Sequence, residues 1–137
     1  MEWRMWAIRG ATTVPENTVE AMREAVIELL DELEKRNQLH PTDIISVTFS
    51  VTRDLNATFP AAIARSRPHW DNVPMLDVQQ MHVDGSLECC IRFLVHAYLP
   101  ASAQIYHTYL RHAENLRPDW NMPQSLQPLP SMVESNA

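Results

Sequence analysis

Apolar residues recur along the chain with two different periods, and the change from one to the other outlines the elements. Val19, Met22, Val26, Leu29, Leu30 and Leu33 return every third or fourth position behind Asn17 or Thr18, the stripe and cap of an amphipathic helix within "PENTVEAMREAVIELLDELEKRN". "IISVTFSV" has period two, with Ile45, Val47, Phe49 and Val51 on one face and Ser46, Thr48 and Ser50 on the other, which predicts a half-buried strand. "CIRFLVHAYL" reads the same way. Ile91, Phe93, Val95 and Ala97 face one side, Arg92, Leu94, His96 and Tyr98 the other, and Pro100 ends the strand.

Shorter signals fill the gaps. "WRMWAIRGATT" begins apolar and stops at Gly10, a short strand turning out of a sheet, and "VPMLDV" reads as another strand. "FPAAIARSR" places Pro60 where a first helical turn tolerates it. "SAQIYHTYLRHAENL" carries Ile105, Tyr109, Ala113 and Leu116 along one stripe and is expected as a second long helix, stopped before Pro118. The order strand, helix, strand, short helix, strand, strand, helix predicts an α+β layer, a mixed β-sheet with helices on one face. The uncovered face then calls for another subunit.

With 137 residues, 45% hydrophobic and 20% charged, one globular domain is expected over 1–119. Prolines 118, 123, 128 and 130 in polar surroundings predict a flexible Pro-rich tail over 120–137. A formal net charge of -6 argues against a nucleic-acid surface. Without a signal-like h-region or an apolar run of membrane-spanning length, the chain is expected in the cytoplasm, off any membrane. The adjacent Cys89 and Cys90 suit a reducing compartment.

Charge adds one bias that matters. Of the 11 Lys and Arg residues only Lys35 is lysine, so nearly all positive charge is guanidinium, suited to bidentate carboxylate recognition. Other chemistries find little support. Adjacent residues of a strand point to opposite faces, so Cys89 and Cys90 do not readily join His82 and His96 around zinc, and no metal is expected. There is no nucleophile elbow, and two glycines make no phosphate loop. Arg9, Arg65, Arg92 and Arg117 remain, and Arg92, between Ile91 and Phe93, must face water or meet an anion.

Five segments in order carry a resemblance: "IRGATT" from Ile8, "FPA" from Phe59 with Arg65 four residues on, "CIR" from Cys90, "HTYL" from His107 and "LRPD" from Leu116. Together they resemble the monofunctional AroH-class chorismate mutases, with similar spacing from about Ala7 to Asp119. The resemblance implies an isomerase converting chorismate to prephenate by a Claisen rearrangement, in phenylalanine and tyrosine biosynthesis, without cofactor. It also implies a homotrimeric pseudo α/β-barrel with sites at the subunit interfaces. Position by position, Arg92 matches the arginine that bonds the ether oxygen and a carboxylate. Arg9 and Tyr109 match carboxylate ligands, and Leu116 packs nearby. Phe59, Ala61 and Arg65 match residues lent by the adjacent subunit, and Arg117 matches one near the chain end. The alternative is a catalytically weak paralogue that binds chorismate or prephenate as a sensor.

Three positions depart from the family. Gln80 stands where a glutamate accepts the substrate ring hydroxyl, Asp77 replaces a cysteine, and Ala62 replaces a lysine. The expectation is that the carboxylate has moved from 80 to 77, so that Asp77 joins Gln80 beside Arg92 with its pKa lowered by that arginine. Their odd separation requires a bulge or turn between them.

Overall fold

The structure, a computed structural model, describes residues 2–120. Of the segment expected as a tail, 120–137, Trp120 closes a 3-10 turn from Pro118 and the rest lies outside the described residues.

Five strands form one mixed sheet in the order β3-β2-β4-β1-β5. β1 (Trp3–Thr13) and β4 (Cys90–Pro100) pair antiparallel over their whole length, and β2 (Ile44–Val51) pairs antiparallel with the other side of β4. The edges are parallel additions, β3 (Met75–Gln79) on β2 and β5 (Thr108–Tyr109) on β1.

α1 (Val19–Asn37) forms where the stripe predicts it. Thr18 is the cap, its Oγ1 accepting from Ala21 N at 3.1 Å, while Asn17 instead ties the 56–57 turn. The helix buries Met22, Ala25, Val26, Leu29, Leu30 and Leu33, and with Ala61, Ile63 and Ala64 of α2 (Pro60–Arg65) these join one core with Ile8, Val47, Phe49, Phe93 and Val95. Both helices therefore serve one sheet face. The opposite face carries Met5 and Tyr98, paired in register, with Leu76 and Val78 on the edge strand, all exposed. Among the described residues no helix is long and apolar enough to cross a membrane.

Three local expectations change. β1 does not stop at Gly10 but runs on to Thr13, paired with β4 as far as Cys90, and a Cβ at position 10 would lie 2.4 Å from the Phe93 ring. Glycine is there to admit that ring, not to turn the chain. Ile45 is exposed and Ile44 buried, since a bulge between Ile44 and Ser46 in the β2–β4 register shifts the alternation by one. The second long helix is absent. Residues 101–107 are irregular, β5 follows, and a 3-10 turn spans Arg111–Leu116. The open edge of β1 outcompetes the helix: Leu110 N bonds Ala11 O at 2.9 Å, while Asn37 Oδ1 accepts from Tyr106 N at 2.7 Å. Ile105, Tyr109 and Ala113 are buried as their apolar spacing implied, along an extended path rather than a helix.

Candidate active site

One rung of the sheet builds the centre of the site. Ser50 pairs with Arg92, Arg92 with Ala11, and Ala11 with Tyr109, so these four side chains stand in a row on the face turned away from the helices. The small Ser50 and Ala11 leave space on both sides of the guanidinium. Arg9 stands on the same face one pair further along, opposite Leu94. β3 extends the arrangement, because Gln80 N bonds Val51 O at 2.9 Å and prolongs the ladder past Gln79. Alternation from Val78 then brings Gln80 onto the Arg92 face.

Arg9, Ser50, Gln80, Arg92 and Leu116, with residues between Met81 and Leu87, line a cleft of about 710 Å³. Three polar atoms on this face are buried with no hydrogen-bond partner among the described residues: Gln80 Oε1 and Arg92 Nε in the cleft lining, and Tyr109 Oη further along the Arg92 rung. Buried polar groups are nearly always paired, so an acceptor and two donors left open on one sheet face, two of them in the cleft, mark a place for a polar, anionic guest. A groove of about 770 Å³ between Asn37 and Tyr106 is slightly larger, yet none of its lining side chains carries such an orphaned atom.

Electrostatics support the same centre. Burial pushes the Tyr109 hydroxyl above its usual pKa, opposed by the charges of Arg9, Arg92 and Arg117, so the phenol stays a neutral donor with three guanidinium groups around it. Burial also pushes the Cys90 thiol up, outweighing the neighbouring Arg92, which leaves it a neutral packing group. Among the described residues no three His, Cys, Asp or Glu side chains are grouped as a metal ion would need.

Phe59, Ala61, Arg65 and Asp77 lie elsewhere in the chain. Phe59 and Arg65 are exposed and Ala61 is buried at the start of α2, away from the cleft. Asp77 does not share the Arg92 face. β3 is regular from Met75 to Gln79, without the required bulge, and Asp77 pairs in register with the core residue Phe49. Its Oδ1 accepts from Ala61 N at 3.0 Å, at the N-terminus of α2. Its pKa is raised, not lowered: desolvation dominates over the Ala61 N–H and over Arg65, the charge that actually faces it. Asp77 thus groups with Phe59, Ala61 and Arg65, and the Gln80 amide lines the cleft without the carboxylate expected to join it.

Sequence reasoning missed Ser50 and Ala11 as spacers, visible only once the register is known. It also missed His107, whose Nδ1 accepts from Arg9 N at 2.9 Å, although "HTYL" had drawn attention to the segment.

Residues 5–120 match the family model described as chorismate mutase type I. The chain is 38% identical over 117 residues to chorismate mutase AroH of Bacillus subtilis (strain 168), covering 84% of this chain and 91% of that relative. It is 40% identical over 115 residues to chorismate mutase AroH of Thermus thermophilus, covering 82% and 93%. Among solved structures, a chorismate mutase from Clostridium thermocellum superposes with a TM-score of 0.73 at 41% identity, over 80% of this chain and 97% of that one.

Proposed function

The chain belongs to the type I chorismate mutase family, and from that membership we infer that it is an isomerase converting chorismate to prephenate. The reaction is an intramolecular rearrangement, so the protein need only hold the substrate folded and stabilise charge as the ether bond breaks. We assign that stabilisation to Arg92. The breaking ether oxygen becomes negative in the transition state, and a fixed guanidinium in a water-poor cleft favours that state over the ground state by several kcal/mol, about 3 or more.

The single observation that carries this assignment is the buried, unpartnered Arg92 Nε on the rung it shares with Tyr109. Arg9 and the Tyr109 hydroxyl take the substrate carboxylates in this reading, Gln80 Oε1 accepts the ring hydroxyl, Leu116 packs against the guest, and Arg117 serves as the outer cation. Phe59, Ala61, Arg65 and Asp77, gathered where α2 meets the other face of β3, are lent to a neighbour's cleft in a homotrimer. The exposed apolar face bearing Met5, Leu76 and Tyr98 supports such an assembly. Residues 1–119 then act as one domain. Two free thiols support a cytoplasmic setting, where the partners the reading requires are chorismate, prephenate and the other subunits of the trimer.

The test is to incubate purified protein with chorismate and follow prephenate by proton NMR. Acceleration over the uncatalysed reaction, lost in Arg92→Ala, supports the reading. Saturable binding of chorismate without acceleration would identify a sensor instead.

A further inference from the structure

Trp120, the first residue of the segment expected as a tail, is held inside a stack that joins two arginines of the site. Its ring lies 3.9 Å from the His107 imidazole, centroid to centroid, at an interplanar angle of 28°. The guanidinium carbon of Arg117 lies 3.5 Å from the same Trp120 centroid. Two groups that close to one centroid cannot share a face, so the indole is sandwiched between imidazole and guanidinium. An edge contact with Tyr109, centroids 6.1 Å apart at 76°, joins the stack to that residue, whose hydroxyl feels the Arg117 charge.

Both outer layers are themselves anchored. His107 is buried and accepts the Arg9 backbone N–H at 2.9 Å, which ties it to β1. Arg117 is gripped along one edge by Asp119, with Nε to Oδ1 at 3.1 Å and Nη2 to Oδ2 at 2.9 Å. That leaves the Nη1 corner for an anion.

We propose that Trp120 is a positioning residue that fixes Arg117 beside Tyr109 and Arg9, so that the outer cation of the cleft is ordered before substrate arrives. This rests on the reading that Arg117 meets a substrate carboxylate. A guanidinium free to sample its rotamers must be ordered by the substrate at the expense of affinity, whereas one stacked on indole does not. The carboxylate keeps its charge through the rearrangement, so the benefit falls equally on ground and transition states and is read in KM rather than kcat.

The test measures kcat and KM for chorismate in Trp120→Leu, Trp120→Phe, Arg117→Ala and the double variant Trp120→Leu/Arg117→Ala, with thermal midpoints recorded alongside. Leucine keeps apolar contact with Tyr109 but offers no π-face. Trp120→Leu is expected to raise KM about three- to tenfold with kcat within about twofold, and Trp120→Phe to restore wild-type KM. Arg117→Ala is expected to raise KM as well, and Trp120→Leu to add nothing in that background. A wild-type KM in Trp120→Leu, a phenylalanine variant no better than leucine, or effects that multiply in the double variant would each overturn the proposal. If Arg117→Ala leaves KM unchanged, the reading of Arg117 as a substrate ligand falls too; if it raises KM while Trp120→Leu does not, only the role of Trp120 falls.

Discussion

Arg92 and Tyr109 occupy one rung of the sheet with only Ala11 between them, and each ends in a buried polar atom without a partner, Nε and Oη. Arg92 lines the cleft, Tyr109 stands two strands away on the same face, and neither orphaned atom is spent on a bond within the described residues. Tyr109→Phe should therefore raise KM for chorismate about tenfold or more while leaving the thermal midpoint near wild type, because a hydrogen bond to a charged acceptor is lost and no internal one is.

The pH profile of the same residue follows from the direction of its pKa. In the unfolded chain a tyrosine ionises near 10.0; in the fold Tyr109 keeps its proton to higher pH. Its hydroxyl thus remains a donor from neutral pH through that value, and this group sets no alkaline loss of kcat/KM below it. Stability runs the other way: above the unfolded pKa only the unfolded chain releases the proton, so folding weakens as pH rises further. Urea titrations of wild type and Tyr109→Phe at two alkaline pH values check this, with a shallower slope in the variant, where the thiols of Cys89 and Cys90, also raised, still contribute.

Gly10 tests the packing beneath the site. A methyl there would meet the Phe93 ring at 2.4 Å, and that ring is itself clamped edge-on by Phe49. Gly10→Ala is expected to destabilise the protein by about 1–3 kcal/mol in urea unfolding and to lower activity, since the displaced strand carries Arg9.

Asn37 tests what replaces the missing second helix. Its side chain accepts from Tyr106 N at 2.7 Å and donates to Tyr106 O and Leu33 O, both at 3.0 Å. Asn37→Ala leaves those backbone groups unsatisfied and should cost about 1–3 kcal/mol. Hydrogen exchange should rise first across residues 105–110, which hold Tyr109.

These variants also mark what sequence could and could not reveal. α1 and the two faces of β4 were legible, because long periodic segments encode which side is buried. The Ile105 to Leu116 segment was misread as helix: its apolar residues do go inside, but the bonds that decide its path come from Asn37 and the β1 edge, far away in sequence. Pairing registers are equally invisible to spacing, so Ala11 and Ser50 could not be seen as the spacers around Arg92. Asp77 illustrates the reverse. Strand alternation alone puts it on the face opposite Gln80, and the regular β3 obeys that rule.

Asp77 consequently serves α2 of its own chain. Asp77→Asn keeps an oxygen for Ala61 N without the partly buried charge and should raise thermal stability slightly at neutral pH, whereas Asp77→Ala removes the bond and should cost about 1 kcal/mol. Because its folded pKa is raised above 3.8, protonation favours the fold: the contribution is present below that value and fades as pH rises through the folded pKa. The stability difference between wild type and Asp77→Asn should shrink on acidification through that window.

The most direct measurement is kcat for chorismate in Arg92→Ala and Arg92→Lys. Arg92→Ala should lower kcat by about 10²–10³-fold or more with the fold intact. Lysine should recover little, since an ammonium carries the charge but not the rigid fork that reaches the ether oxygen and a carboxylate together. A kcat for Arg92→Ala within about tenfold of wild type would contradict the assignment of Arg92 as the group that stabilises the breaking ether bond.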